Sequence, residues 1–223
     1  MRSVRRPWSV PVYAGLLAGA AALGGCVTGG LHSSQPPQAR YLLSLASVPG
    51  AAAASADDSS AAVDDLAAAR SLRVLLPAAA PGLDGDGIAV LHPGGQLDDY
   101  AGARWAAPAP QMVQTLAIES LRRTGHFSLV QSDSAPFEAD WVLQLELTHF
   151  EADYAQAGPP TVRVALVATL GQRSARRAVM TLTIDTHALA QSNRMHAVVD
   201  AFESATRQAL RQLDARLAPP GAR

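Results

Sequence analysis

The sequence predicts an α+β fold: a two-layer domain with a mostly antiparallel sheet and two amphipathic helices on one of its faces. Three observations carry that prediction. Residues 141–148 and 162–170 alternate apolar and polar side chains, the pattern of strands with one buried and one wet face. The segment after Pro108 and the C-terminal segment instead repeat apolar residues three and four apart, the stripe of a helix that needs a sheet or another helix to cover it. The two helical segments lie far apart in the chain, so no strand–helix–strand dinucleotide unit forms and the elements sort into two layers.

The chain opens with Arg2, Arg5 and Arg6, then an apolar small-residue run from Val10 to Leu23, then Leu23-Gly24-Gly25-Cys26. This is the tripartite build of a secretory signal, which is removed and takes no part in the fold. The apolar run, at about 14 residues, is too short to cross ~30 Å of hydrocarbon as a helix. A cysteine flanked by glycines has nothing to pack against. Leu-Gly-Gly-Cys resembles the lipobox of bacterial lipoproteins, so residues 1–25 are expected to be a signal peptide and Cys26 a lipidated anchor. A single acyl chain holds a protein to a membrane only marginally, whereas two or three hold it durably, at ~0.8 kcal/mol per buried methylene. Residues 26–39 are then the lipidated cysteine and a Gly, Ser, Pro and Gln-rich tether, with a coil-like reach of roughly 20 Å.

The folded domain is expected over 40–218, with 219–223 as a tail after Pro219-Pro220. Its first strand is Arg40–Leu45. Residues 50–69 form an alanine-rich, low-complexity loop without large apolar groups. Leu72, Val74 and Leu76 alternate in a second strand stopped by Pro77, and Ile88–Leu91 form a third after an Asp-Gly turn. Pro108 opens the first helix; Met112, Val113, Leu116, Ala117 and Leu121 form its stripe, and Gly125 ends it. Phe127–Val130 is a short strand, followed by the two long ones and a last strand over Ala178–Thr186. The second helix spans about Asn193–Leu217.

Composition narrows the function. All eighteen basic residues are arginine, and nineteen residues are acidic. Loss of the three signal arginines leaves the mature chain near a net charge of −4, without the concentrated basic surface that nucleic acid requires. Arg122-Arg123 and Arg176-Arg177 are isolated pairs expected to be solvated. Cys26 is the only cysteine, which removes disulfides and every cysteine-based metal or nucleophile scheme. The six histidines show no i, i+4 pair and no His-Glu-x-x-His helix. Asp84-Gly85-Asp86-Gly87 runs on into Ile88-Ala89-Val90, so it reads as a tight turn and not a calcium loop. Gly-x-Ser-x-Gly and Ser-x-x-Lys are missing. Glu146, Glu151 and Asp153 are expected on the wet face of a strand and its turn. No catalytic residue, metal site or cofactor is expected beyond the covalent lipid on Cys26.

Tyr100 and Trp105, just ahead of a helix, admit two readings: aromatics that plug the core, or a partner-binding hot spot at the rim of a sheet. With Asp98, Asp99 and Arg104 they form the candidate contact residues. Gly94-Gly95 and Gln96-Leu97-Asp98-Asp99 read as an exposed loop.

The order of motifs resembles the ABC-type transport auxiliary lipoprotein family. The residues that carry the resemblance are Tyr41-Leu42-Leu43, Leu72-Arg73-Val74-Leu75-Leu76-Pro77, Gly87-Ile88-Ala89-Val90, Tyr100 and Arg104-Trp105-Ala106. Ala139-Asp140-Trp141-Val142-Leu143 and Phe150-Glu151-Ala152-Asp153 follow. The resemblance covers almost all of residues 40–217, and the long 50–69 link is a departure from the family pattern. It implies a non-enzymatic partner of an ABC or MCE-type system that moves lipids or other hydrophobic compounds between membranes. The implied location is the periplasmic face of the outer membrane, favoured also by Val27, which is not the aspartate of inner-membrane retention. A second hypothesis is a lipoprotein that itself binds and carries a hydrophobic ligand between sheet and helices. An exposed sheet edge leaves homo-oligomerisation open.

Overall fold

Strand β7, Trp141–Asp153, is the spine of the domain. One of its edges pairs antiparallel with β8, Thr161–Gln172, over nearly its whole length, and β8 pairs in the same way with β9, Arg177–Leu189. The other edge is shared end to end by three short strands, all parallel to β7. Strand β2, Ser71–Val74, takes Trp141–Leu143; β3, Ala78–Ala79, takes Glu146 and Leu147; β4, Gly87–Leu91, takes Ala152 and Asp153. Two wings extend the sheet from there. Strand β6, Leu129–Ser132, adds to β2, while β5, Leu97–Trp105, and β1, Ala39–Tyr41, add to β4. A computed structural model describes residues 38–45 and 70–217; the expected signal peptide, Cys26, residues 27–37 of the expected tether, the 50–69 loop and the 219–223 tail lie outside the described residues, while Ala39, expected in the tether, opens β1.

Helix α1, Ala109–Thr124, and helix α2, Met195–Leu217, both lie on one face of this sheet and touch each other. Residues on α1 three and four apart, Met112, Val113, Leu116, Ala117 and Leu121, are all buried, as their spacing requires. Gly125 closes α1 in the left-handed conformation, φ 67°, which costs a glycine nothing. Helix α2 buries Val198, Phe202, Ala205, Ala209, Leu210, Leu213 and Leu217 against β8 and β9. Trp105, Phe150 and Phe202 meet between the layers with ring centroids 5.0–5.8 Å apart. These rings, with Leu143, Leu145, Leu147, Val162, Val164 and Leu166, fill the space between sheet and helices.

The fold class is as expected, with an added set of short parallel pairs. Several element expectations change. Leu97-Asp98-Asp99, read as part of an exposed loop, and the residues from Tyr100 to Trp105 ahead of the helix together form strand β5. Only Ala39–Tyr41 of the first segment is strand, although Leu43 and Leu45 still reach the core. Strand β2 ends at Val74, and Leu76 is 46% exposed. The expected Phe127–Val130 strand begins two residues later.

Glu151 is a further correction. The register of β7 slips between Leu147 and His149, so inward residues are odd-numbered before the bulge and even-numbered after it. Phe150 and Ala152 turn into the core. Glu151 is 3% exposed and not on a wet face; its carboxylate accepts the Phe150 amide at 2.6 Å and contacts His149 Nδ1 at 2.8 Å. Arg163, on the facing β8 position, carries the chain of charges on to Asp185 of β9 at 2.7 Å, and the guanidinium holds the Asp185 carboxyl below its ordinary range.

Candidate functional site

The candidate contact residues all fall on β5, and its strand geometry separates them. The β4–β5 hairpin is closed by His92 and Gln96, whose amide and carbonyl meet at 2.8 Å, with Gly94 and Gly95 at positive φ. Asp98 is exposed just past this turn; its carboxylate accepts from Gln96 Nε2 at 2.6 Å and lies 3.6 Å from His92 Nε2. Asp99 is exposed as well, and its carboxylate lies over the Cα of Gly87. A Cβ at Gly87 would come within 2.1–2.2 Å of that carboxylate, so glycine lets the two strands close at this point.

Tyr100 is half-buried. Its hydroxyl meets that of Tyr154 at 2.9 Å, and the rings stand edge to face, 6.4 Å apart. Tyr154 is itself fixed by its amide, which donates to Leu91 O at 3.0 Å. Burial, followed by the Tyr154 hydrogen bond, drives the Tyr100 phenol well above its ordinary pKa, so it stays neutral at physiological pH. Arg104 is a brace: it donates to Asp86 Oδ1 at 2.8 Å and to Gln38 Oε1 at 2.8 Å. It thereby ties the residue before β1 to the turn before β4.

Trp105 lies in the core. It is 1% exposed, its backbone amide donates to Asp86 O at 2.7 Å, and its ring packs on Phe150 and Phe202. Of the two readings the sequence left open, burial favours the core for Trp105, whose side chain offers no surface for a partner. Asp98 and Tyr100 share one face of β5 near the hairpin, Asp99 projects from the other face, and the half-exposed Arg104–Asp86 pair lies at the opposite end of the strand, so the structure does not bring the candidates together as one surface. Sequence reasoning missed Tyr154, Asp86 and Gln38. The only signal for Asp86 was the Asp-Gly-Asp-Gly turn; nothing local marked Tyr154, whose role depends on β4 lying beside the end of β7.

Among the described residues, no group of three or more His, Cys, Asp or Glu is placed to hold a metal ion, and no helix is long and apolar enough to cross a membrane. A family model described as the ABC-type transport auxiliary lipoprotein component matches residues 51–214. The chain belongs to that family. This auxiliary lipoprotein is also similar to a crystal structure from Xanthomonas campestris, with 30% identity and a TM-score of 0.61, covering 66% of this chain and 82% of that one. A second crystal structure, of an uncharacterized protein, shares the fold at 17% identity and a TM-score of 0.56, covering 67% of this chain and 92% of that one. No curated protein matches the chain. Family membership makes the protein an auxiliary component of transport and a lipoprotein.

Proposed function

We propose that this protein is anchored by acyl chains on Cys26 to the periplasmic face of the outer membrane. There it acts as a non-enzymatic adaptor of an ABC or MCE-type system that moves lipids or other hydrophobic compounds across the envelope. The observation that carries this reading is the family match over 51–214, joined to the Leu-Gly-Gly-Cys signal end at Cys26. The filled layer interface supports adaptor over carrier: Trp105, Phe150 and Phe202 occupy the space a ligand would need. Lipidation confines the domain to two dimensions and raises its effective concentration beside a partner that spans the periplasm.

Photocrosslinking in intact cells, with the crosslinker at Asp98, tests this. Wild-type protein is expected to capture an MCE-type or permease component, and Cys26→Ser to fractionate away from the outer membrane and lose that capture. Capture of no transport component by the wild type, with Cys26→Ser behaving identically in cells, refutes the adaptor role.

A further inference from the structure

The end of the sheet farthest from Ala39 is basic in a protein whose charge is otherwise acidic. The β8–β9 hairpin turns there through Gln172-Arg173-Ser174-Ala175-Arg176-Arg177. Arg173 is taken by Glu138 at 2.5 Å. The side chains of Arg176 and Arg177 are exposed and make no ion pair among the described residues. With Arg173 they line an open groove of about 310 Å³, floored in part by Val142 and Ala178. Phe137, 67% exposed, and Val179, 49% exposed, flank this end.

Arg176 is also the one non-glycine residue at positive φ among the described residues, at 48°. An arginine in the left-handed region costs roughly 1 kcal/mol that glycine would not. The Arg176 amide closes the hairpin by donating to Arg173 O at 3.2 Å, a place where glycine would serve the turn at less cost, while the arginine side chain stays solvated.

We infer that this arginine-rich hairpin end is a docking surface for a partner protein that presents closely spaced carboxylates. The inference rests on the adaptor reading and supplies it with a contact face. Guanidinium groups recognise carboxylates through charge-assisted, bidentate hydrogen bonds, and the exposed Phe137 and Val179 offer apolar anchors beside them.

Register favours a protein over the anchoring membrane. Trp141 pairs with Gln172, which sets the hairpin at the start of β7. Ala39 pairs with Ala103, and Arg104 with Gly87, three residues before the Val90–Ala152 pair, so β1 begins near the other end of β7 and runs toward the hairpin. The two points lie about 25 Å apart along the strands, at ~3.3 Å per residue, and five strand spacings of ~4.8 Å apart across the sheet. The hairpin thus lies farther from Ala39 than the roughly 20 Å that the tether itself reaches.

The test uses the full-length lipidated protein in detergent and three probes: immobilised poly-L-glutamate, phosphatidylglycerol vesicles, and the protein's own concentration-dependent association. Poly-L-glutamate is expected to bind, and R176E with R177E to weaken it at least tenfold. R211E with R216E, an equal charge change on exposed positions of α2, is expected to leave it within twofold. Arg176→Gly is expected to weaken binding while keeping or raising the urea midpoint, which separates lost recognition from misfolding. Equal losses in the two double variants, binding to vesicles alone, self-association removed by R176E with R177E, or no binding at all each overturn the inference. If Asp98 crosslinks to a transport component persist while poly-L-glutamate never binds, only this inference falls. If the wild type captures no transport component, the adaptor reading falls with it.

Discussion

Replacing Trp105 with alanine and, separately, with phenylalanine gives the sharpest check on the two-layer packing. Trp105 is fully enclosed by Phe150, 5.8 Å away between centroids, and Phe202, 5.1 Å away and nearly perpendicular. Truncation to alanine removes the buried indole and leaves a cavity between two elements that are each pinned elsewhere, β7 by four neighbouring strands and α2 by β8 and β9. Large aromatic-to-alanine changes at such sites cost about 3–5 kcal/mol, a sizeable share of the ~5–15 kcal/mol that holds a domain together. Phenylalanine is different. The indole Nε1 is buried without a hydrogen-bond acceptor, so losing it forfeits no hydrogen bond and relieves an unpaired donor. Trp105→Phe should therefore cost less than about 1.5 kcal/mol. Urea unfolding of the mature chain with Cys26→Ser, followed by far-ultraviolet circular dichroism, reads both values. A Trp105→Ala cost below about 1 kcal/mol would show that the ring is not a core element. A Trp105→Phe cost equal to that of alanine would show that the indole N–H is paired after all.

Other outcomes follow from single contacts. Gly125→Ala should lower stability by about 1–2 kcal/mol in urea, because the left-handed C-cap of α1 admits no Cβ cheaply although the space around it is open. Tyr100→Phe and Tyr154→Phe should each cost about 1 kcal/mol, and the double variant less than their sum, because both remove one 2.9 Å bond. Asp214 accepts from Ser120 at 2.6 Å across the α1–α2 contact, and burial raises its carboxyl above the ordinary value. Its contribution is therefore fully present below the ordinary carboxylate pKa and lost as pH rises through the raised one. Asp214→Asn should unfold at a higher temperature than the parent at pH 7, with the two melting curves converging toward pH 3; a constant offset across that range would contradict the assignment.

Side-chain period made the long elements legible. Leu143, Leu145 and Leu147, like Val162, Val164 and Leu166, declared their strands because one face had to be buried, and the α1 and α2 stripes did the same at helical spacing. Strand β5 was not legible for the opposite reason. Asp98, Asp99 and Gly102 lie in a segment that buries almost nothing until Ala103, so its strand state comes from backbone pairing with β4 and β1, which no local pattern records. Glu151 was misread because alternation was carried through a bulge that the sequence does not mark. The candidate site was legible as a set of residues but not as a surface. Trp105 and Tyr100 share one strand, yet the first serves the core and the second a rim, and that division depends on where Phe202 and Tyr154 arrive from distant parts of the chain.

The brace at Arg104 also has a mechanical meaning. Any tension reaching the domain through its N-terminal side enters at Gln38 and passes into a strand of three residues, Ala39–Tyr41. Because β1 lies parallel to β5, a pull along its axis loads the bonds of that ladder together as a shear and does not unzip them one at a time. Arg104 shares the load by gripping Gln38 from β5 and Asp86 before β4, and the Ala106 amide, donating to Tyr41 O at 2.7 Å, closes the far end. Strain on the leash is thus taken up by one wing of the sheet, while β7, β8 and β9 keep their shape and the hairpin between β8 and β9 keeps its aim.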